Sequence, residues 1–378
     1  MRTAPAALIF SDRSFTGPRV VTPQPGDGPV APAGGAVLTG GAQELSISPA
    51  TTATATNLNR DSIVLPTTST FERPPLGGLM SPTACHVVDS GHNGTMTTPN
   101  ILNDTTPAID ESDPTLVHSV ITDAWGLYFA QGGVVMAAAL RAMDVVLDRP
   151  DLSLASASAT FVRPVACGPV ETSVDVLRSG RRGAQVHGLL RDQTAPEGAV
   201  SVSVSAVFTD PAMAGPSQSP VPPRTELAIA PPPDAAMAVD NQFPLGFLDN
   251  TAWHVAVGPD VSPFSTDPVP RMALWFRFND PPAPDDVAWN PALLPIPGDA
   301  LGSALSVALE DGGRAVGSVS LQIDLQVLAP IVGTWIGIDT MCTHVGNGLA
   351  RGVLHLWSET GVHVATVTQT AMLRGFDG

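Results

Sequence analysis

The sequence predicts an α+β protein. Two tandem copies of one unit, each a buried helix wrapped by antiparallel strands, follow a long low-complexity N-terminal extension. Three observations carry this expectation. Residues 113–210 and 241–378 each pattern as a strand, a helical run and then four alternating strands. Landmarks recur at one offset, Pro164 with Pro330 and Gly180 with Gly346, both 166 residues apart. Finally, a chain of 378 residues, against a norm of ~150 per domain, has room for two domains and an appendage.

The extension comprises residues 1–112. It is rich in Pro, Gly, Thr and Ala (PQPGDGPVAPAGGAVLTGGAQ, SPATTATATN) and keeps no helical or alternating period. A structureless loop of that length does not belong inside a compact domain. Two readings compete: a disordered tail, or a stretch upstream of a true translation start at Met80 or Met96.

At Asp113 the pattern changes. LVHSVITDAW reads as a strand and a turn. Gly132 and Gly133 then open VVMAAALRAMDVVL, a run apolar nearly all round and therefore a buried helix, ended before Pro150. Residues 153–162, 170–177, 184–190 and 199–208 alternate apolar with small or polar residues, as half-buried strands do. SGRRG at 179–183 and TAPEG at 194–198 supply hairpin turns. Eight prolines between 211 and 240 make that segment a stiff linker. In the second copy, 270–278 is a strand and 290–309 a proline-broken helix. Strands at 318–328, 333–342, 349–357 and 362–373 complete it. A helix wrapped by such a sheet is the hotdog architecture, and two in tandem make a double hotdog sharing one continuous sheet.

Composition narrows the function. The chain is 43% hydrophobic and 14% charged, against ~25% charged in average soluble proteins, so it is apolar enough to build a core. All 18 basic residues are arginine and Tyr128 is the only tyrosine. Lysine and tyrosine codons are AT-rich, so this reads as coding bias rather than mechanism. A net charge of -17 with pI near 4.6 repels phosphate backbones and excludes nucleic acid as the expected partner. Cys85, Cys167 and Cys342 are far apart and form no C-x-x-C, which suits reduced thiols in the cytoplasm. No apolar run reaches the ~18–20 residues of a membrane span. The eight histidines show no metal-ligand spacing, and no G-x-S-x-G elbow is present. No metal and no cofactor are expected.

The two halves together resemble a known family. The first carries W-x(5)-Q-G-G-V-V (Trp125, Gln131 to Val135), F-V-R-P (Phe161 to Pro164) and L-R-x-G-R (Leu177 to Arg181). The second carries GDALGSAL at 298–305, a strand ending at Ala329-Pro330, and the hairpin LWSETGVHVATVTQTAMLR from Leu356 to Arg374. In this order they are similar to the double-hotdog acyl-CoA thioesterases of the bacterial thioesterase II type. That resemblance implies hydrolysis of an acyl-CoA to a carboxylic acid and CoA. It places an Asp, a hydroxyl residue and a Gln of the second repeat around the hydrolytic water. The matching positions are Asp299, Ser320 and Gln369, with Ser320 standing where Thr is commoner.

The residue chemistry agrees. A thioester is already activated, so a carboxylate that orients and deprotonates water suffices, with a hydroxyl and an amide fixing the water's other hydrogen bonds. Backbone N–H groups at a helix N-terminus can receive the carbonyl oxygen, which assigns Gly132 and Gly133 to substrate binding. Plainer roles stand beside these. Asp299 also suits a helix cap, Ser320 a surface strand position, Gln369 an ordinary polar face, and the glycines helix–sheet packing. Counting along the repeat sets Ser320 against Leu154 and Gln369 against Val204, so the first repeat is expected to lack the site. Two other functions remain open. One is a non-catalytic acyl-CoA-binding or assembly module. The other is an enoyl-CoA hydratase, although Gly298-Asp299 is followed by no Asn-Pro and no His. A homo-oligomer remains open as a further level of assembly.

Overall fold

The computed structural model describes residues 98–216, 245–257, 271–309 and 316–375, with Gln218 and Val221. The proposed tail up to residue 97 and most of the Pro-rich linker lie outside these residues.

Among the described residues the first half holds a helical turn α1 (Ile101–Asp104), strands β1 (Ala108–Ile109) and β2 (Leu116–Ile121), and helix α2 (Gly132–Leu147). Strands β3 (Ser153–Phe161), β4 (Gly168–Gly180), β5 (Gly183–Asp192) and β6 (Val202–Thr209) follow. The second half has α3 (Gly246–Asp249), β7 (Thr251–Val257), β8 (Arg271–Phe278), a 3-10 turn (Pro291–Leu293), α4 (Pro295–Gly298) and α5 (Leu301–Ala308). It ends with β9 (Val316–Val327), β10 (Ile336–Gly346), β11 (Leu349–Ser358) and β12 (His363–Gly375).

The expected helices and strands are present, within a few residues at their ends. Two features were not anticipated. Residues 98–112, assigned to the extension, are built into the fold: Ile101 is fully buried and β1 pairs with β2, so the fold includes residues upstream of Asp113. The pair α3–β7, the counterpart of α1–β1, was also missed. Both are short pieces ahead of the main strand, too brief to show a period.

The twelve strands form one antiparallel sheet in the order β1-β2-β4-β5-β6-β3-β9-β12-β11-β10-β8-β7. Read from either end, the order is the same once each strand is replaced by its repeat partner, so a pseudo-twofold axis passes between β3 and β9. Ser158 and Asp324 face each other there, 166 residues apart, and Ser158 Oγ donates to Asp324 Oδ1 at 2.6 Å. The irregularities match too. The β3–β6 ladder slips between Leu154 and Ser156, and the β9–β12 ladder slips between Ser320 and Gln322. Ser320 is therefore the counterpart of Leu154, as counted. Gln369 pairs with Ile323, as Ala206 pairs with Ala157, so its counterpart is Ala206 and not Val204. The β5–β6 connection is longer than the β11–β12 turn, and that defeats a count along the chain.

Helix α2 lies against β2, β4, β5 and β6. Gln131 caps its N-terminus, accepting from Val134 N at 2.8 Å. Asp148, left-handed at φ 47°, ends it just ahead of Pro150. Ala137, Ala138 and Ala139 are closed into the core, so close packing explains their size. The corresponding stretch of the second repeat starts on Asn290, whose Oδ1 accepts from Ala292 N at 2.9 Å, and is broken into three pieces by Pro291, Pro295 and Pro297. Its last piece, α5, packs on β8, β10 and β11. Aromatic residues join the halves: Trp125 meets Phe278 edge-on at 5.9 Å, and Phe276 stands between Phe278 and Trp253.

Candidate active site

The proline-broken helix is what exposes Asp299. Between α4 and α5 the backbone leaves helical geometry for two residues, Asp299 (φ -93°, ψ 49°) and Ala300 (φ -116°, ψ 17°), so Asp299 follows the end of α4 instead of sitting within a helix. Its carboxylate is directed at the N-terminus of α2 and at β9 and β12. Ser320 Oγ donates to Oδ1 at 2.8 Å. Gln369 Nε2 donates to the same oxygen and to Ser320 Oγ, the latter at 2.8 Å. Gln369 is itself held, since its Oε1 accepts from Leu301 N at 3.1 Å at the start of α5. The three residues expected to act together thus meet at one point.

The other oxygen, Oδ2, belongs to the first repeat. Gly133 N donates to it at 3.1 Å and Gln131 Nε2 at 3.0 Å. Sequence reading named Gln131 only as part of a motif; its place immediately before two glycines and a helix was the available signal. Gly132 and Gly133 do allow close approach, but to Asp299. A Cβ on Gly132 would stand 2.7 Å from Asp299 Oδ2, and one on Gly133 would stand 2.3 Å from the Pro295 carbonyl oxygen. The Gly133 amide expected to meet a substrate carbonyl is already taken by the carboxylate.

A carboxylate has about four lone-pair sites, and here two donors reach each oxygen. Burial nevertheless outweighs them. Loss of water pushes the Asp299 carboxyl up, the hydrogen bonds from Ser320, Gly133 and Gln369 offset part of that, and the balance leaves it at about 6. Some accessibility remains at Asp299, whereas Gln131 and Gln369 are buried. A carboxylate with its pKa near neutrality, held by four donors and reachable from outside, is suited to taking a proton from water.

Other nucleophiles fit poorly. Burial pushes the Cys167 thiol up to about 11 and also raises Cys342, so neither supplies a thiolate. Among the described residues no group of three or more His, Cys, Asp or Glu could hold a metal ion. No helix among them is long and apolar enough to cross a membrane. Arg181 and Arg182 lie exposed in the β4–β5 turn.

The sheet and helices define a hotdog protein, and the same fold occurs in solved structures. One is a hotdog-fold protein of unknown function from Alicyclobacillus acidocaldarius, with 19% identity and TM-score 0.58, covering 72% of this chain and 97% of that one. Another is an acyl-CoA thioesterase II from Mycobacterium marinum, with 22% identity and TM-score 0.56, covering 74% and 98%. Residues 121–209 match the family model described as the acyl-CoA thioesterase N-terminal domain, and residues 225–373 match its C-terminal domain. The chain belongs to this acyl-CoA thioesterase family. No curated protein matches it.

Proposed function

We propose that the chain hydrolyses acyl-CoA thioesters to a carboxylic acid and CoA, with Asp299 as general base and Ser320 and Gln369 holding the water. The observation that supports this best is the convergence of the Ser320 hydroxyl and the Gln369 amide on one oxygen of a carboxylate whose pKa is raised. The two oxygens differ in how firmly their partners are fixed. Oδ2 is held by a backbone amide and by a side chain that is pinned as a helix cap. Oδ1 is held by two side chains: Gln369, itself fixed by Leu301 N–H, and Ser320, whose hydroxyl can turn from the carboxylate to a water. Water therefore enters on the Oδ1 side, accepting from Ser320 and Gln369 and donating to Asp299.

As the water oxygen bonds to the thioester carbon, its proton passes to Asp299. When the C–S bond breaks, the same proton goes to the departing sulfur. The N-terminus of α2 favours the ionised carboxylate before attack, through Gly133 N–H and the positive end of the helix. The acyl-CoA is the only partner the reaction requires besides water. We place the reaction in the cytoplasm, where the free thiols Cys167 and Cys342 are at home.

The test is a panel of acyl-CoAs, following free thiol and enoyl absorbance together. Thiol release that disappears in Asp299→Ala supports the reading. Loss of enoyl absorbance without thiol marks a hydratase, and tight binding with neither signal marks a binding module. Thiol release unchanged in both Asp299→Ala and Gln369→Ala removes these residues from the mechanism even if the activity stands.

A further inference from the structure

The pseudo-twofold axis carries the Asp299 site onto a second place in the molecule. Leu154 stands there in place of Ser320, before the same slip in the ladder. In the helical layer the two N-caps, Gln131 and Asn290, correspond. Nine residues beyond Asn290 lies Asp299, and nine beyond Gln131 lies Leu140. Gly132 and Gly133 map onto Pro291 and Ala292. These counterparts do not collapse onto one another. Leu140, Leu154, Asn290, Pro291 and Ala292 line a cavity of about 440 Å³, with Trp289 also in its wall. That volume lies within the ~300–1,000 Å³ of ordinary small-molecule sites.

The chemistry of the two places differs in one respect. Asn290, like its counterpart Gln131, is polar, but the positions of Asp299, Ser320 and Gln369 are taken by Leu140, Leu154 and Ala206. The counterpart position keeps an open cavity and has no base. Its charged lining residue is Asp144, one helical turn beyond Leu140. Asp144 disfavours an anionic head and leaves an uncharged one as the better match.

We propose that this cavity is a second, non-hydrolysing site for an acyl chain carried on an uncharged head. The choice of occupant rests on reading the Asp299 site as an acyl-thioester site. The cavity itself does not depend on that reading.

The test titrates the full chain with S-octylpantetheine, an uncharged thioether that cannot be hydrolysed, by calorimetry. Two sites per chain are expected. Val287→Trp and Ala288→Trp place bulk at the exposed rim of the cavity. Each is expected to remove one site and leave acyl-CoA hydrolysis unchanged. Octanoate is expected to bind the cavity at least tenfold more weakly, and Asp144→Asn to narrow that gap. Binding at a single site that neither rim variant alters, or no binding at all, overturns the proposal. If the chain releases no thiol from any acyl-CoA yet shows a rim-sensitive site, the hydrolytic reading fails and this one stands.

Discussion

Gln131 and Asp299 lie 168 residues apart in different repeats, yet Gln131 Nε2 donates to Asp299 Oδ2 at 3.0 Å. One end of the Gln131 amide caps α2 and the other end holds the carboxylate, so the first repeat's helix start and the second repeat's Asp299 are fixed by one side chain. Gln131→Glu separates the two duties. It keeps an oxygen for Val134 N–H, removes the donor and adds a negative charge beside Asp299. Like charge raises a carboxyl pKa, so the acid limb of the rate profile is expected to move up by about one unit or more with the fold intact. Gln131→Ala instead loses the cap, for about 1 kcal/mol of stability. Thermal unfolding alongside the pH–rate profile distinguishes these outcomes, and a limb that stays in place in Gln131→Glu denies Gln131 any influence on the base.

The wild-type profile is itself a prediction. As the proposed base Asp299 acts when ionised, and burial, offset in part by its donors, leaves its carboxyl at about 6. kcat/KM is therefore expected to fall as pH drops through about 6 and to level off above about 7. An exposed aspartate would give its limb near 4. A limb at 4 or below, measured with a substrate that is stable across the range, shows that the donors outweigh burial or that another group is the base.

How much of this could be read in advance depended on distance along the chain. The alternating strands, the apolar helix and the repeat were legible because each is a local period or a fixed offset. Asp299, Ser320 and Gln369 were legible because all three lie in one repeat and match one motif set. The Gln131–Asp299 contact was not, since it needs the register between the two helices. That register differs from the register between the strands: Pro164 and Pro330 give one offset, Asn290 and Gln131 another, because the connections following α2 and α5 differ in length. Another unequal pair of connections, β5–β6 against β11–β12, sets Gln369 opposite Val204 by count when the ladder puts it opposite Ala206. The Gly132–Gly133 pair, expected to meet a substrate carbonyl, lies at a close approach. What approaches them is the protein's own carboxylate.

The two glycines are expected to separate when mutated. A Cβ at Gly133 meets backbone, the Pro295 carbonyl and the Ile296 Cα, which cannot give way cheaply. Gly133→Ala is expected to cost about 1–3 kcal/mol as overpacking does. A Cβ at Gly132 meets the end of a side chain, Asp299 Oδ2, with Phe161 in ordinary contact. Gly132→Ala is expected to keep most of the stability and lose most of the hydrolysis, because the carboxylate must move. Equal losses of stability in the two variants remove the argument that Gly132 is small for the sake of Asp299.

Ser320 and Gln369 share one oxygen and touch each other, so their contributions should not add. Removing the hydroxyl in Ser320→Ala leaves Gln369 Nε2 still on Asp299 and is expected to lower kcat about tenfold to a hundredfold, within the range for one misplaced water contact. Ser320→Thr keeps the hydroxyl and is expected to retain activity. Gln369→Glu keeps an oxygen for Leu301 N–H, so α5 keeps its start, but it turns a second carboxylate toward Asp299. The pair then shares a proton at neutral pH, the base is lost, and a fall of about 10²–10⁴ is expected. The double variant Ser320→Ala with Gln369→Glu should be little worse than Gln369→Glu alone, since a base that stays protonated has no water left to position. A double variant whose losses multiply instead means that the two side chains act on different species, and that the water does not sit between them on the Oδ1 side.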